Sequence, residues 1–205
     1  LPAKNVTKGG AVGWQTNLPE MNFYNSFENG DKRKNNREGW FYTDYFVGGE
    51  GELTDLGGPH IFKAFNVTNF GSDTVVGNGL GDFLNFSVIR FAEVLLIYAE
   101  ASNEVSGPTS DAIDAVKKVR DRAGLTTSNS LAKDSFRELI WKERWHELCF
   151  ERITWFDMVR LRKVFNSKTG NFDNFVGYSN PISNQSLQKK HLLFPIPALE
   201  LVNNP

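Results

Sequence analysis

Apolar residues follow no helical period over the first 82 positions and fall into one from Asp82 onward. Val88, Phe91, Ala92, Leu95, Leu96 and Ala99 recur at i, i+3, i+4, i+7, i+8 and i+11, which predicts a long amphipathic helix over about 83–105. Gly107-Pro108 stops it, and Thr109 or Ser110 offers an N-cap for a second helix. That helix carries Ala112, Ala115, Val116, Val119 and Ala123 on one face, with Gly124 just past its end. Two antiparallel helices with a short joint and alanines at their contact form a hairpin of the tetratricopeptide kind. A repeat unit cannot bury its apolar face alone, so this pair is expected to dock against further helices, whether or not the present chain contains them. A third helix is predicted from about Lys133 to Glu151 and a fourth from about Thr154 to Phe165, with Trp141, Trp145, Leu148 and Phe150 as bulk. Pro195 and Pro197 give an extended stretch before a short helix over Ala198 to Val202.

Residues 1–82 hold 14 of the 18 glycines and most of the clustered aromatics. Glycine at that density favours loops and short strands over helix. The run Phe41-Tyr42-Thr43-Asp44-Tyr45-Phe46 alternates as a strand with one buried face would. The expected fold is therefore mainly α. A tetratricopeptide-like helical hairpin and further helices over 83–205 pack with a loop-rich, aromatic-rich irregular region carrying short strands over 1–82, the candidate ligand-binding side.

Charge narrows the function classes. Lys plus Arg number 23 against Asp plus Glu 24 in 205 residues, a formal charge of -1 that provides no steering field for nucleic acid or anionic lipid. The most apolar window, Phe91 to Ala101, is broken by Glu93 and Glu100 and falls short of the ~20 apolar residues of a membrane span. Cys149 is the single cysteine, so neither an internal disulfide nor a thiolate zinc site is available.

Glu143, Glu147 and Glu151 are spaced four apart and are expected to project from one helix face. Like charges so placed repel by roughly 0.2–0.5 kcal/mol per pair even in an isolated helix. Cations are needed beside them, and Arg120, Arg122, Arg144 and Arg160 are the candidates, because a guanidinium can fork onto a carboxylate. Structural ion pairing is the favoured reading, ahead of catalytic carboxylates or a metal. Glu143-Arg-Trp-His146 has the Glu-x-x-His spacing of di-iron helices but occurs once, and His146-Glu147-Leu-Cys-Phe150 lacks the second zincin histidine. His60 and His191 accompany no nucleophile motif and read as structural. Gly77, Gly79 and Gly81 do not form a dinucleotide fingerprint. No cofactor or metal is expected.

Four ordered stretches resemble the C-terminal region of the SusD/RagB family of outer-membrane nutrient-binding lipoproteins. They are Phe86-Ser-Val-Ile-Arg-Phe-Ala-Glu-Val-Leu-Leu-Ile-Tyr-Ala-Glu-Ala101; Val119-Arg-Asp-Arg-Ala-Gly-Leu125; Glu143 to Glu151 followed by Trp155-Phe-Asp-Met-Val-Arg160; and His191-Leu-Leu-Phe-Pro-Ile-Pro197 with Asn204-Pro205. A weaker echo, Gly30-Asp-Lys-Arg33 before Trp40, extends the likeness upstream. Arg152 and Thr154 depart from the family, where Gly commonly follows the third ladder glutamate and Arg precedes Trp-Phe-Asp. Leu161-Arg162 stands where Trp-Gly is common.

The resemblance implies a binding protein and not an enzyme. It implies a cell-surface location at the outer membrane, a lipid anchor on an N-terminal segment outside this chain, and a SusC-like TonB-dependent transporter as partner. The ligand implied is an oligosaccharide or, in RagB-like members, a peptide. Flat aromatic rings pack on the apolar faces of sugars while amides and guanidinium groups bond hydroxyls. On that chemistry Trp14 with Gln15 and Asn17, and Trp40 with Tyr42, Asp44 and Tyr45, are the candidate ligand contacts; the alternative is that these rings seal the core of a loop-rich region. Asp73-Thr74-Val75 resembles a bacterial O-glycosylation acceptor. Two rival classes remain at this stage: a glycoside hydrolase using Glu143 and Glu147, and a helical scaffold that binds protein alone.

Overall fold

The computed structural model describes residues 18–36, 38–46, 53–63 and 87–203, with 45, 46, 53 and 54 described by their backbone. In chain order the elements are α1 (Met21–Asn25), β1 (Phe41–Phe46), β2 (Leu53–Ile61), α2 (Phe91–Ser106), α3 (Ser110–Arg122), α4 (Lys133–Glu147), α5 (Thr154–Leu161), β3 (Lys163–Asn166), β4 (Asn171–Asn174) and α6 (Ala198–Asn203). The fold is mainly helical with short strands, as the hydrophobic pattern predicts. It divides into two compact units, one running through Phe150 and one beginning at Glu151.

In the first unit α2 and α3 form the predicted hairpin. Thr109 caps α3 by accepting from the Ala112 N–H at 3.3 Å. At the other end Gly124, at φ 78°, donates to the Asp121 carbonyl, and Leu125 donates to that of Arg120. That pair of bonds is a Schellman motif, and Leu125 just beyond it is buried. Leu96 and Ala99 of α2 pack with Ala112, Ile113, Ala115, Val116 and Val119 of α3 and with Phe136 and Ile140 of α4 in one core. Along the seam between α2 and α4, Glu93 lies 4.0 Å from Arg144, Glu100 accepts from the Trp141 indole at 3.1 Å, and Glu104 pairs with Arg137. The buried Asn103 donates to the Lys133 carbonyl at 3.0 Å.

The helix α2 begins later than the period suggests, at Phe91. Arg90 is extended, and its guanidinium donates to the carbonyl and carboxylate of Glu147. Residues 83–86 lie outside the described residues. Val88 and Phe91, expected on the inner face, are exposed, Phe91 by 71%. They share an open apolar stripe with Val94, Tyr98 and Val105, while Ala92 and Leu95 face the core.

A second core joins α1 and β1 to the end of α4. Phe27, Phe41 and Cys149 are buried together, with Phe23, Tyr24 and Trp40 packed around them. The backbone turns tightly beside this cluster, where Trp40 N–H donates to the Arg33 carbonyl at 2.6 Å. A Cβ on Gly39 would stand 2.2 Å from that carbonyl oxygen, so the turn requires glycine.

The helix α4 stops at Glu147 and not at 151, because Phe150 and Arg152 take left-handed φ of 66° and 65°. Glu151 therefore leaves the face shared by Glu143 and Glu147. In the second unit, α5 ends at Leu161 where Arg162 turns left-handed. The expected helical residues 163–165 instead form β3, paired antiparallel with β4 around the buried Val164 and Phe165. Trp155 meets the buried Phe175 edge-on at 5.8 Å, and α6 follows Pro197 as predicted.

Candidate functional site

Polar and aromatic side chains gather at the end of α4 and on the β1–β2 ribbon. On α4, Glu143 and Glu147 stand one turn apart and are both buried. Glu143 accepts from Arg33 at 2.6 Å and from Arg120 at 3.1 Å. Glu147 accepts from Arg33 at 3.2 Å, from Arg90 at 3.0 Å, and from Arg122. Arg33 also forks onto Asp31 at 2.9 and 2.7 Å, and Arg120 onto Glu28 at 2.9 and 3.1 Å. The carboxylates Glu28, Asp31, Glu143 and Glu147 thus meet the guanidinium groups of Arg33, Arg90, Arg120 and Arg122 in balance. That balance offsets the desolvation a buried ion would otherwise suffer.

Burial acts against the charge on Arg33, but its bonds to Asp31 and the attraction of Glu143 outweigh it, so its pKa is raised. Burial would likewise push the Glu147 carboxyl up, yet the bond from Arg122 and the field of Arg33 hold it below the ordinary carboxylate range. Glutamates held in this way face no open cleft, so the hydrolase reading loses the pair it requires.

Helix termini leave carbonyls without partners, and here side chains from elsewhere in the chain fill them. The Lys63 ammonium, just past β2, donates to the carbonyls of Glu147 at 2.5 Å and Cys149 at 3.0 Å, and Arg90 donates to Glu147 from the start of α2. Cations at a helix C-terminus also complement its dipole.

Of the other predicted partners, Arg144 points round α4 toward Glu93 of α2, and Arg160 donates to Asp157 within α5 at 2.7 Å. Arg33 and Arg90 were not among the cations expected beside the ladder. Both stand in stretches that carry the family likeness, Gly30–Arg33 and Phe86–Ala101, but nothing local to them marks a partner more than 50 residues away.

His146 sits in the same region, buried between the rings of Phe23 at 5.7 Å and Phe27 at 4.3 Å, with Nε2 2.9 Å from the Ser26 hydroxyl. Burial first, then the charges of Arg33, Lys142 and Arg120, hold its pKa well below the usual histidine value. The folded chain keeps this imidazole neutral, while the unfolded chain protonates it below about pH 6.5. The unfolded state then binds more protons, so stability should fall as the pH drops through that value, by about 1 kcal/mol between pH 7.5 and 5.5. Urea midpoints at the two pH values check this, and His146→Gln should flatten the difference.

The ribbon presents the other candidates. Phe41 pairs with Ile61 and Tyr42 with His60, after which the register shifts so that Asp44 faces Asp55. The alternation turns Phe41 into the core and sets the Tyr42 ring beside those of His60, at 5.1 Å, and Phe62, at 6.1 Å. Burial raises the Tyr42 pKa. His60 Nδ1 donates to the Gly58 carbonyl at 3.1 Å, and its Nε2 is buried without a hydrogen-bond partner among the described residues. Asp44 is half-buried and accepts from Asn36 at 2.8 Å. Trp40 packs against the Phe27–Phe41 cluster with the Lys63 ammonium 4.5 Å over its ring. The structure thus groups Tyr42 and Asp44 with His60, Phe62 and Asn36, and seats Trp40 against the core. Tyr45 belongs to β1 through its backbone. Trp14, Gln15, Asn17 and Asp73-Thr74-Val75 lie outside the described residues.

Among the described residues no group of three or more His, Cys, Asp or Glu side chains could hold a metal ion, and no helix is long and apolar enough to cross a membrane.

Comparison with known proteins adds an independent line. The SusD family model matches residues 11–205. SusD-like protein P2 of Formosa agariphila is 32% identical over 212 residues, covering 94% of this chain and 39% of its own length. SusD-like protein P25 of the same organism is 33% identical over 155 residues, covering 74% of this chain and 27% of its own. The chain thus spans well under half the length of these relatives. A SusD superfamily protein from Parabacteroides distasonis superposes with a TM-score of 0.80 at 34% identity, over all of this chain and 45% of that one. A SusD-like carbohydrate binding protein from Bacteroides vulgatus superposes with a TM-score of 0.55 at 21% identity, over 89% and 39%.

Proposed function

The chain belongs to the SusD family, and on that premise we propose that it is part of a cell-surface nutrient-binding protein that takes up oligosaccharide and passes it to a SusC-like TonB-dependent transporter. It binds without cleaving, and it is held at the outer membrane through a lipid anchor. The observation that best supports a saccharide ligand is the ribbon face, where the half-buried Tyr42 ring lies beside His60 and Phe62, with Asp44, bonded to Asn36, two residues along the strand. Rings of this kind stack on sugar C–H faces, and polar groups at their edge bond the hydroxyls. The buried carboxylates and guanidinium groups at the end of α4 are engaged with one another, which favours the ribbon and the turns around it as the place of recognition.

Titration of the chain with malto-, cello-, laminari-, xylo- and mannohexaose, followed by tryptophan emission and calorimetry, tests the reading. A saturable response to at least one of them, with no shortening of the sugar on prolonged incubation, is the expected result. Flat titrations with all five, or a response to a hexapeptide alone, would overturn the saccharide assignment. Release of shorter sugars would overturn the non-enzymatic one.

A further inference from the structure

Between the pairs Tyr42–His60 and Asp44–Asp55 the ribbon changes register, so that Leu56-Gly57-Gly58-Pro59 of β2 stand opposite Thr43 alone. The Thr43 N–H is bonded instead from the turn before β1, where Asn36 Oδ1 accepts it at 3.0 Å. Bulges of this kind bend a strand and re-aim the side chains next to them. The two glycines of this one serve different ends. Gly57 turns at φ 73°, where a side chain is strained, and its N–H donates to the Asp55 carboxylate at 2.9 Å, so the bulge itself requires glycine there.

Gly58 has no such reason. Its φ lies outside the left-handed region, and Pro59 biases the residue before it to extended backbone, which any residue adopts. Among the described residues, a Cβ on Gly58 would meet the Met21 methyl alone, at an ordinary contact of 3.7 Å. Neither the backbone nor these neighbours demand a glycine. In a strand such a residue often marks a place where a ligand or another backbone comes close.

The neighbourhood of Gly58 is the ring face of the ribbon. Its carbonyl accepts from His60 Nδ1 at 3.1 Å, and the His60 ring lies 5.1 Å from that of Tyr42. Met21 of α1, bordering the same glycine, is 47% exposed. Gly57 is exposed and Gly58 half-buried, so bare backbone is reachable beside the rings, whereas His60 itself is buried. We propose that Gly58 sets how closely a saccharide can lie on the ribbon: with no side chain there, a sugar stacked on Tyr42 extends over the β2 backbone towards Met21. The inference rests on the saccharide reading given above. A methyl or larger group at this position would lift the sugar from the rings, and a gap of about 0.5–1 Å already forfeits a quarter to a half of the dispersion attraction.

Gly58→Ala and Gly58→Val separate this role from a purely structural one. Where the native backbone suits any residue, replacing glycine restricts the unfolded chain and raises stability slightly, and valine is favoured in strands. Both variants should therefore melt at or just above the wild-type temperature. A glycine needed only for the fold would behave in the opposite way, with the melting temperature falling as the side chain grows.

The probe is whichever of the five hexasaccharides the wild-type chain binds most tightly. Gly58→Ala should bind it about threefold more weakly and Gly58→Val about tenfold or more, the loss growing with the bulk that separates sugar from rings. Tyr42→Ala, which removes the stacking ring, should bind about tenfold more weakly. Undiminished binding by both Gly58 variants beside a weakened Tyr42→Ala, or a binding loss that comes with a lowered melting temperature, would remove the role from Gly58 while leaving the ribbon as the ligand site. Undiminished binding by Tyr42→Ala would take the site away from the ribbon. No binding of any hexasaccharide by the wild type would overturn the saccharide reading, and this inference with it.

Discussion

Replacing Arg33 by alanine is expected to cost about 3–5 kcal/mol of folding stability, the range observed when one member of a buried ion pair is deleted. Arg33 reaches three carboxylates, those of Asp31, Glu143 and Glu147. Its removal takes the guanidinium fork from Asp31, whose carboxylate caps the turn at Lys32–Lys34 through the residue-33 N–H, and it leaves Glu143 to Arg120. For a domain of this size each kcal/mol moves the thermal midpoint by about 2–4 °C, so a shift near 10 °C is the outcome to look for in melting curves. Arg33→Lys should recover part of the loss, because an ammonium keeps the charge but cannot fork onto Asp31 while reaching α4. A variant melting within two or three degrees of the wild type would show that water replaces the guanidinium without penalty, and that the ion network is peripheral to the fold.

The second large effect is expected at Phe41, whose ring is buried edge-on against Tyr24 at 5.0 Å, Phe27 at 5.2 Å and Phe150 at 5.9 Å. Truncation to alanine removes the ring and leaves a cavity among stiff neighbours, at a cost of about 3–5 kcal/mol. Phe41→Leu should lose clearly less, since it keeps apolar volume at the site. Denaturant midpoints measure both. Because Phe41 also anchors the register of β1 on Ile61, the alanine variant should weaken hexasaccharide binding on the opposite face of the same strand. Equal stability of the alanine variant and the wild type would mean that β1 is not held by this ring.

The helical hairpin was legible in the sequence because its determinants are local: the period of the apolar positions, Thr109 at one end of α3 and Gly124 at the other all lie within the elements they define. The end of α4 was not. Four-residue spacing carries Glu151 onto the face of Glu143 and Glu147, and the chain departs from helix through left-handed Phe150 and Arg152 with no glycine to announce it. The β3–β4 hairpin was hidden for the same reason, since Val164 and Phe165 extend the apolar run of α5 and the break falls at Arg162.

The need for cations beside the glutamate ladder could be read from repulsion alone, but their identity depended on the chain returning from Arg33 to Glu143, across 110 residues. On the ribbon, alternation foretold the buried face of β1. It could not tell that Trp40 packs against the core under Lys63, or that Asn36 serves the bulge.

The seam between α2 and α4 fixes more than the closeness of two helices. Glu93 against Arg144, Glu100 against Trp141 and Glu104 against Arg137 form rungs of unlike chemistry along an antiparallel pair. A slip of one turn, about 5.4 Å, would set the Glu93 carboxylate against Ile140 or Leu148, an aliphatic wall with nothing to receive its charge. The setting is therefore fixed chiefly at the Glu93–Arg144 end, because the slip that carries Glu93 to Ile140 still carries Glu100 to Arg137 and Glu104 to Lys133.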